Sequence, residues 1–280
     1  MAGLVPAIHV CKTLRESKTW MPGTRPGMTE KPVFMTLPLA SRIALVTGAS
    51  RGIGYATARA LASRGAHIIA LARTQGGLEE LDDEIRKDGG SATLVPLSLT
   101  DVDGIARLGA ALHERHGQLD ILVGNAGTAG PSSPLGHIDM KPWNDVMAIN
   151  ATANFQLIRC MEPLLKKADA GRAVFITSAA ASTAPAYLGP YSASKAALEA
   201  LVRVWAHETA STRLRVNLFN PGPIRTRMRA AVFPGEDPIT LDTPERAAEL
   251  IVPMCLPSWN ETGRLYDYPT RTLMSFRAPA

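Results

Sequence analysis

From about Ser41 onward, short apolar runs alternate with longer stretches of helical spacing. Runs of strand length fall at 43–46, 67–71, 92–97, 119–123, 173–176 and 214–219. Between them apolar residues recur at three- and four-residue intervals over roughly 53–64, 76–88, 101–116, 143–167 and 189–211. The runs are β-branched and apolar at successive positions, which suits strands covered on both faces. Strand–helix alternation with short loops predicts right-handed crossovers and a doubly wound parallel sheet. The expected architecture is therefore a Rossmann fold, a single three-layer α/β/α domain over residues 41–270. A last short strand near 265–268 is expected to close the sheet's far edge, leaving 271–280 as a tail.

Composition changes this picture only at the N-terminus. Residues 1–34 hold Pro6, Pro22, Pro26 and Pro32 without sustained periodicity, and a poorly ordered extension running to residue 40 is expected. A targeting peptide, or a stretch upstream of a start at Met28 or Met35, are alternative readings of it. The net charge is +5, and +3 of that lies in residues 1–34, where Lys12, Arg15, Lys18, Arg25 and Lys31 outnumber Glu16 and Glu30. What remains gives no basic stripe, so no nucleic-acid partner is expected. No apolar run reaches the roughly eighteen residues of a membrane helix, so no membrane partner is expected either. Cys11, Cys160 and Cys255 are odd in number and far apart. They suggest neither disulfides nor a metal site and fit a reducing cytoplasm. His67, His113, His116, His137 and His207 share no ligand spacing.

The first apolar run leads directly into Thr47-Gly48-Ala49-Ser50-Arg51-Gly52-Ile53-Gly54, and a helical stretch follows. Glycines there permit a tight turn, close approach to a pyrophosphate and close helix–strand packing. The helix N-terminus offers free N–H groups and a positive dipole end to the anion. A dinucleotide is the expected ligand. After the second run, where an acid would take the ribose hydroxyls of NAD, the chain reads Ala72-Arg73. Arg73 and Arg51 are two guanidinium forks suited to a 2′-phosphate, which predicts NADP (NADPH).

Tyr191 and Lys195 stand four residues apart, and Ser178 lies thirteen residues before the tyrosine. On a helix the pair shares a face, so phenol and ammonium enter one cleft. The cation is expected to draw the phenol's pKa from about 10 toward working pH, which suits proton exchange with a carbonyl or alcohol. Ser182 and Ser194 are rivals of Ser178 for a place beside it. Asp120, at the start of the fourth strand, is expected to brace a loop.

These motifs together resemble the short-chain dehydrogenase/reductase family over about residues 40–268. The matching segments are Thr47 to Gly54, Asn125-Ala126-Gly127, Asn150 in Met147-Ala148-Ile149-Asn150, Ser178, Tyr191 with Lys195, and Pro221-Gly222 with Ile224 and Thr226. The resemblance implies Tyr191 as general acid in reduction and base in oxidation. It implies that Lys195 lowers the phenol's pKa and binds the nicotinamide ribose. Ser178 would hold the substrate oxygen, and Asn150 a water that links Lys195 to solvent. The cofactor contacts it implies are Gly48, Ser50, Arg51, Gly52, Ile53, Gly54, Arg73, Ser98, Leu99, Asn125, Ala126, Gly127, Tyr191, Lys195, Pro221, Gly222, Ile224 and Thr226.

Three departures stand out. Gly124 replaces an asparagine and should loosen a hydrogen bond. Ser98 replaces an aspartate that meets the adenine amine. The end, Thr262-Gly263-Arg264-Leu265-Tyr266-Asp267-Tyr268, lacks the common Val-Asp-Gly-Gly. After Thr226, the apolar Met228, Val232, Phe233 and Pro234 suit an acyl or alicyclic group. Arg225, Arg227 and Arg229 either meet an anionic carrier or face water. The implied activity is hydride transfer between NADP(H) and a small-molecule carbonyl or secondary alcohol. The 3-oxoacyl-thioester reductases are the commonest such members with this opening motif. The alternative is a non-catalytic NADP(H)-binding regulatory or scaffold protein. The family's pairing of long helices implies a homodimer or homotetramer through about 143–167 and 189–211.

Overall fold

The computed structural model describes residues 37–276. The expectations for residues 1–34 lie outside them. In chain order the main elements begin with β1 (Ile43–Thr47), α1 (Gly52–Ala62), β2 (His67–Ala72), α2 (Gln75–Lys87), β3 (Ser91–Pro96), α3 (Val102–His116) and β4 (Ile121–Gly124). They continue with α4 (Met140–Met147), α5 (Ala153–Lys167), β5 (Arg172–Ile176), α6 (Ala180–Thr183), α7 (Gly189–Glu208) and β6 (Arg215–Asn220). The last are α8 (Arg227–Val232), α9 (Pro244–Cys255), β7 (Arg264–Asp267) and β8 (Thr272–Ser275).

One sheet has the order β3-β2-β1-β4-β5-β6-β7-β8, parallel throughout except for β8. Adjacent residues of a strand feed opposite layers, as a period of two requires. Val46 and Ile68 join a cluster with Leu61, Leu78, Leu81 and Ile251. Leu45 and Ile69 join another with Ile105, Leu157, Phe175 and Trp205. Both faces of the central strands β1, β2, β4, β5 and β6 are thus dry, which is why they read as largely apolar runs. The order reverses between β1 and β4, so the loops leaving these two strands part to opposite faces and open a crevice.

Asp120, fully buried, braces the entrance of β1. Its carboxylate accepts from the Ile43 amide at 2.9 Å and from Arg42 Nη1 at 2.8 Å.

Three expectations are corrected, and one helix was missed. The ordered domain begins before residue 41: Leu39 is fully buried and its amide donates to Arg64 O at 2.9 Å. The helix expected over 143–167 is α4 and α5 joined by one wide π-helical turn, Ala148–Thr152, which carries Asn150. Helix α9 was not anticipated, although Thr243, Pro244 at the first position and Glu245 form a helix-start signature. The sheet does not end at 265–268, because β8, inside the expected tail, adds an antiparallel edge. Its residues are all exposed, so it carries no buried face for a pattern to announce.

Candidate active site

Two glycines of the β1–α1 loop adopt left-handed backbone, Gly48 at φ 67° and Gly52 at φ 60°. At Gly54 the constraint is space: a Cβ would lie 2.5 Å from Gly48 O and 2.3 Å from Asn125 Nδ2. No side chain caps the N-terminus of α1, and its first turn holds no acid. Its free amides and dipole therefore face an open cleft of about 410 Å³, lined by Ser50, Arg51, Gly52, Tyr55, Thr74, Gly77, Glu80 and Arg227. These features fit a dinucleotide's pyrophosphate. Gly54→Ala is expected to abolish cofactor binding and to lower the melting temperature, since forcing a methyl into a packed site costs about 1–3 kcal/mol. A thermal melt with and without NADPH checks both effects.

The loop is clamped from β4. Thr47 Oγ1 donates to Val123 O at 3.3 Å and accepts from the amides of Asn125 and Ala126 at 3.0 and 3.1 Å. Asn125 Nδ2 donates to Thr47 O at 2.8 Å. Asn125 thus shapes the loop, with its amide group turned to β1. At Gly124 a Cβ would sit 2.2 Å from Phe175 Cδ1, so the ring fills the place of a larger side chain. Beside it, the buried Asn154 Oδ1 has no hydrogen-bond partner among the described residues.

Arg73 and Arg51 are exposed, at the end of β2 and in the glycine loop, and neither forms an ion pair among the described residues. Ala72, in the place of an acid, is buried. Leu99 is also buried, but the Ser98 hydroxyl turns to Thr100, whose Oγ1 lies 2.8 Å away and whose amide it accepts at 3.3 Å. Of the three arginines after Pro221-Gly222, Arg227 reaches the cleft at the N-terminus of α1. Arg229 is occupied within its own segment, paired with Glu236 at 2.6 Å and lying 3.9 Å over the Phe233 ring.

Ser178, Tyr191 and Lys195 converge where β5 meets α7. Lys195 is buried and its Nζ lies 5.8 Å from the centre of the Tyr191 ring. The ammonium donates to Ile176 O at 2.8 Å. Burial pulls its pKa down to about 8, against the pull of Glu199. The phenol behaves otherwise than expected. Burial raises its pKa, and the opposing influence is a hydrogen bond with Ser178. Sequence spacing places the cation correctly but carries no information on how dry the site is. The rival serines have other partners: Ser194 Oγ donates to Tyr191 O at 2.7 Å, and Ser182 Oγ to Ala179 O at 3.2 Å.

Asn150 is fully buried in the π-helical turn, and both its amide hydrogens are engaged. Oδ1 accepts from the Thr128 amide at 2.8 Å, and Nδ2 donates to Thr128 O at 2.8 Å and to Ser194 Oγ at 2.9 Å. A Cβ on Gly127 would lie 3.2 Å from Asn150 Oδ1 and 3.5 Å from Lys195 Nζ, so the bare glycine leaves a small gap between them.

Residues 42–237 match the short chain dehydrogenase family. The chain belongs to the short-chain dehydrogenase family. It is 37% identical over 237 residues to the uncharacterized oxidoreductase YciK of Escherichia coli K12, an alignment covering 82% of this chain and 92% of YciK. It is 34% identical to mouse dehydrogenase/reductase SDR family member 4, over 70% of each chain. Among solved structures, a short chain dehydrogenase from Shigella flexneri complexed with NADP superposes with a TM-score of 0.80 at 37% identity, covering 83% of this chain and 98% of that one. One from Escherichia coli CFT073 complexed with NADPH gives 0.78 at 37%, with the same coverage.

The short-chain dehydrogenase site also depends on residues that sequence reasoning missed. Asn220 Oδ1 accepts from the amides of Ala179 and Gly222 at 3.2 and 3.1 Å, while its Nδ2 donates to Asp267 Oδ1 at 2.6 Å. It ties the segment after Ser178 to the Pro221-Gly222 turn, where Gly222 has φ 62°. Ile224 is buried beside that turn, and Thr226 caps α8 by accepting from the Arg229 amide at 3.2 Å. An asparagine directly before Pro-Gly at a strand end was the available signal.

Proposed function

We propose that this chain is an NADP(H)-dependent oxidoreductase that moves a hydride between the cofactor and a carbonyl or secondary-alcohol carbon of a small molecule. The observation that carries this reading is the meeting of Tyr191, Ser178 and Lys195 at the strand ends that also present the open N-terminus of α1. The amides of Gly52, Ile53 and Gly54 would hold the pyrophosphate, with Ser50, Arg51 and Arg73 around the 2′-phosphate end. When bound, the nicotinamide supplies the hydride.

The protein supplies the proton and the charge. In reduction, Tyr191 Oη gives its proton to the carbonyl oxygen as that oxygen gains negative charge. Ser178 Oγ donates a second hydrogen bond to the same oxygen. Burial keeps the phenol protonated at neutral pH, which suits the donor role. The Lys195 ammonium steadies the phenolate left behind and binds the nicotinamide ribose. The gap above Gly127 suits a water passing protons from Lys195 outward, with Asn150 fixing the walls of that gap through Thr128. Ser98 would contribute only weakly at the adenine, because its hydroxyl is engaged by Thr100.

Lys195 loses its charge above a pKa of about 8, while Tyr191 stays protonated through that range. Reductive kcat/KM is therefore expected to hold through neutral pH and to fall as pH rises past about 8. A profile still rising through that pH would contradict the assignment. Exposed Phe155 on α5 and Val204 on α7 support a homodimer or homotetramer through these helices, which light scattering would test. The function itself is tested by NADPH oxidation against aldehydes, ketones and 3-oxoacyl thioesters. Turnover of at least one class is expected. Cofactor binding with no turnover across the panel would mark a non-catalytic NADP(H)-binding protein instead.

A further inference from the structure

Lys195, Glu199 and Arg203 follow one another at four-residue steps and form a column along α7. A Lys–Glu–Arg column is ordinarily a solvated helix face. Here Lys195 is buried and Glu199 is partly buried. Glu199 Oε1 accepts a hydrogen bond from Thr177 Oγ1 at 2.8 Å. Thr177 is the residue between Ile176, whose carbonyl holds Lys195 Nζ, and Ser178, whose hydroxyl reaches Tyr191. It is buried, and its amide donates to Phe219 O at 2.9 Å. The exit of β5 is thus fixed along the sheet by its backbone and toward α7 by the Glu199 carboxylate. Outward, the Arg203 guanidinium lies 4.6 Å over the Phe276 ring. The groups that bear on the Glu199 carboxyl are burial, which raises its pKa, and Thr177, Arg203 and Lys195, which oppose that. In turn Glu199 resists the loss of charge that burial imposes on Lys195.

We propose that Glu199 is a positioning residue: through Thr177 it fixes the end of β5 so that Ile176 O meets Lys195 and Ser178 Oγ meets Tyr191, and it supplies the counter-charge of the buried ammonium. This rests on the roles proposed above for Lys195, Ser178 and Tyr191. An acid that merely pinned helix to strand would work equally well as its amide, whereas a counter-ion would not.

Glu199→Gln keeps the acceptor and removes the charge. The readout is the NADPH dissociation constant as a function of pH, followed by nucleotide fluorescence, which requires no turnover. In the parent, affinity is expected to fall as pH passes about 8, where Lys195 deprotonates. In Glu199→Gln that midpoint moves down by about one pH unit, the smaller end of what a nearby opposite charge contributes. Thr177→Val keeps the charge and removes the hydrogen bond. It is expected to leave the midpoint in place and to lower kcat about tenfold through misplacement of Ser178, with Thr177→Ser restoring it. A Glu199→Gln midpoint equal to the parent's overturns the proposal, as does an unchanged kcat in Thr177→Val. A parent that binds NADPH with the expected midpoint but reduces no carbonyl would overturn the function itself and leave the midpoint comparison readable.

Discussion

Tyr191→Phe is expected to lower carbonyl reduction by roughly 10²- to 10⁴-fold while NADPH binds as it does to the parent. The substitution keeps the ring, and with it the packing beside Lys195, whose Nζ lies 5.8 Å from the ring centre. Only the hydroxyl is removed, and with it the transferable proton and the partner of Ser178. A loss confined to turnover separates proton transfer from cofactor binding, so kcat and the NADPH dissociation constant should both be measured. A variant that retained most of its turnover would show that another group delivers the proton. Ser194 is poorly placed for this, since its hydroxyl is spent on the Tyr191 carbonyl and Asn150.

The second large effect is expected at the cofactor's other end. Arg73→Asp should weaken NADPH by about 10- to 100-fold relative to NADH, since a hydrogen bond to a charged group is worth about 1.5–3 kcal/mol. Arg73 follows the buried Ala72 at the end of β2, where an acid would select ribose hydroxyls. Aspartate at position 73 removes one guanidinium fork and repels a 2′-phosphate. Arg51, which lines the cleft from the glycine loop, remains and limits the loss. Parallel titrations with both cofactors measure the ratio, and equal weakening of the two would remove Arg73 from the phosphate site.

The fold and the centre of the site were legible because both are written in local spacing. Alternating apolar runs fixed six parallel strands, the glycine spacing marked the β1–α1 turn, and four residues separated Tyr191 from Lys195 on one face of α7. Features formed between distant segments were not legible. Asn220 binding Ala179 and Asp267, and Glu199 reaching Thr177, depend on which side chains the sheet brings together. The acidity of Tyr191 departs from expectation for a related reason: a cation four residues away is visible in sequence, and the burial that raises the phenol's pKa is not. Strand β8 escaped because an exposed edge leaves no apolar trace, and Asn150 was recognisable as a motif without the wide turn that houses it.

The Tyr191 hydroxyl and the Lys195 ammonium are expected to act together on a carbonyl held against NADPH. A crystal structure with NADPH bound tests it most directly. The nicotinamide ribose is expected within hydrogen-bonding reach of Lys195 Nζ, the reactive ring carbon facing the space between Ser178 Oγ and Tyr191 Oη, and the 2′-phosphate at Arg73. A nicotinamide lying away from Tyr191, or Lys195 still turned to Ile176 O with the ribose out of reach, would contradict it.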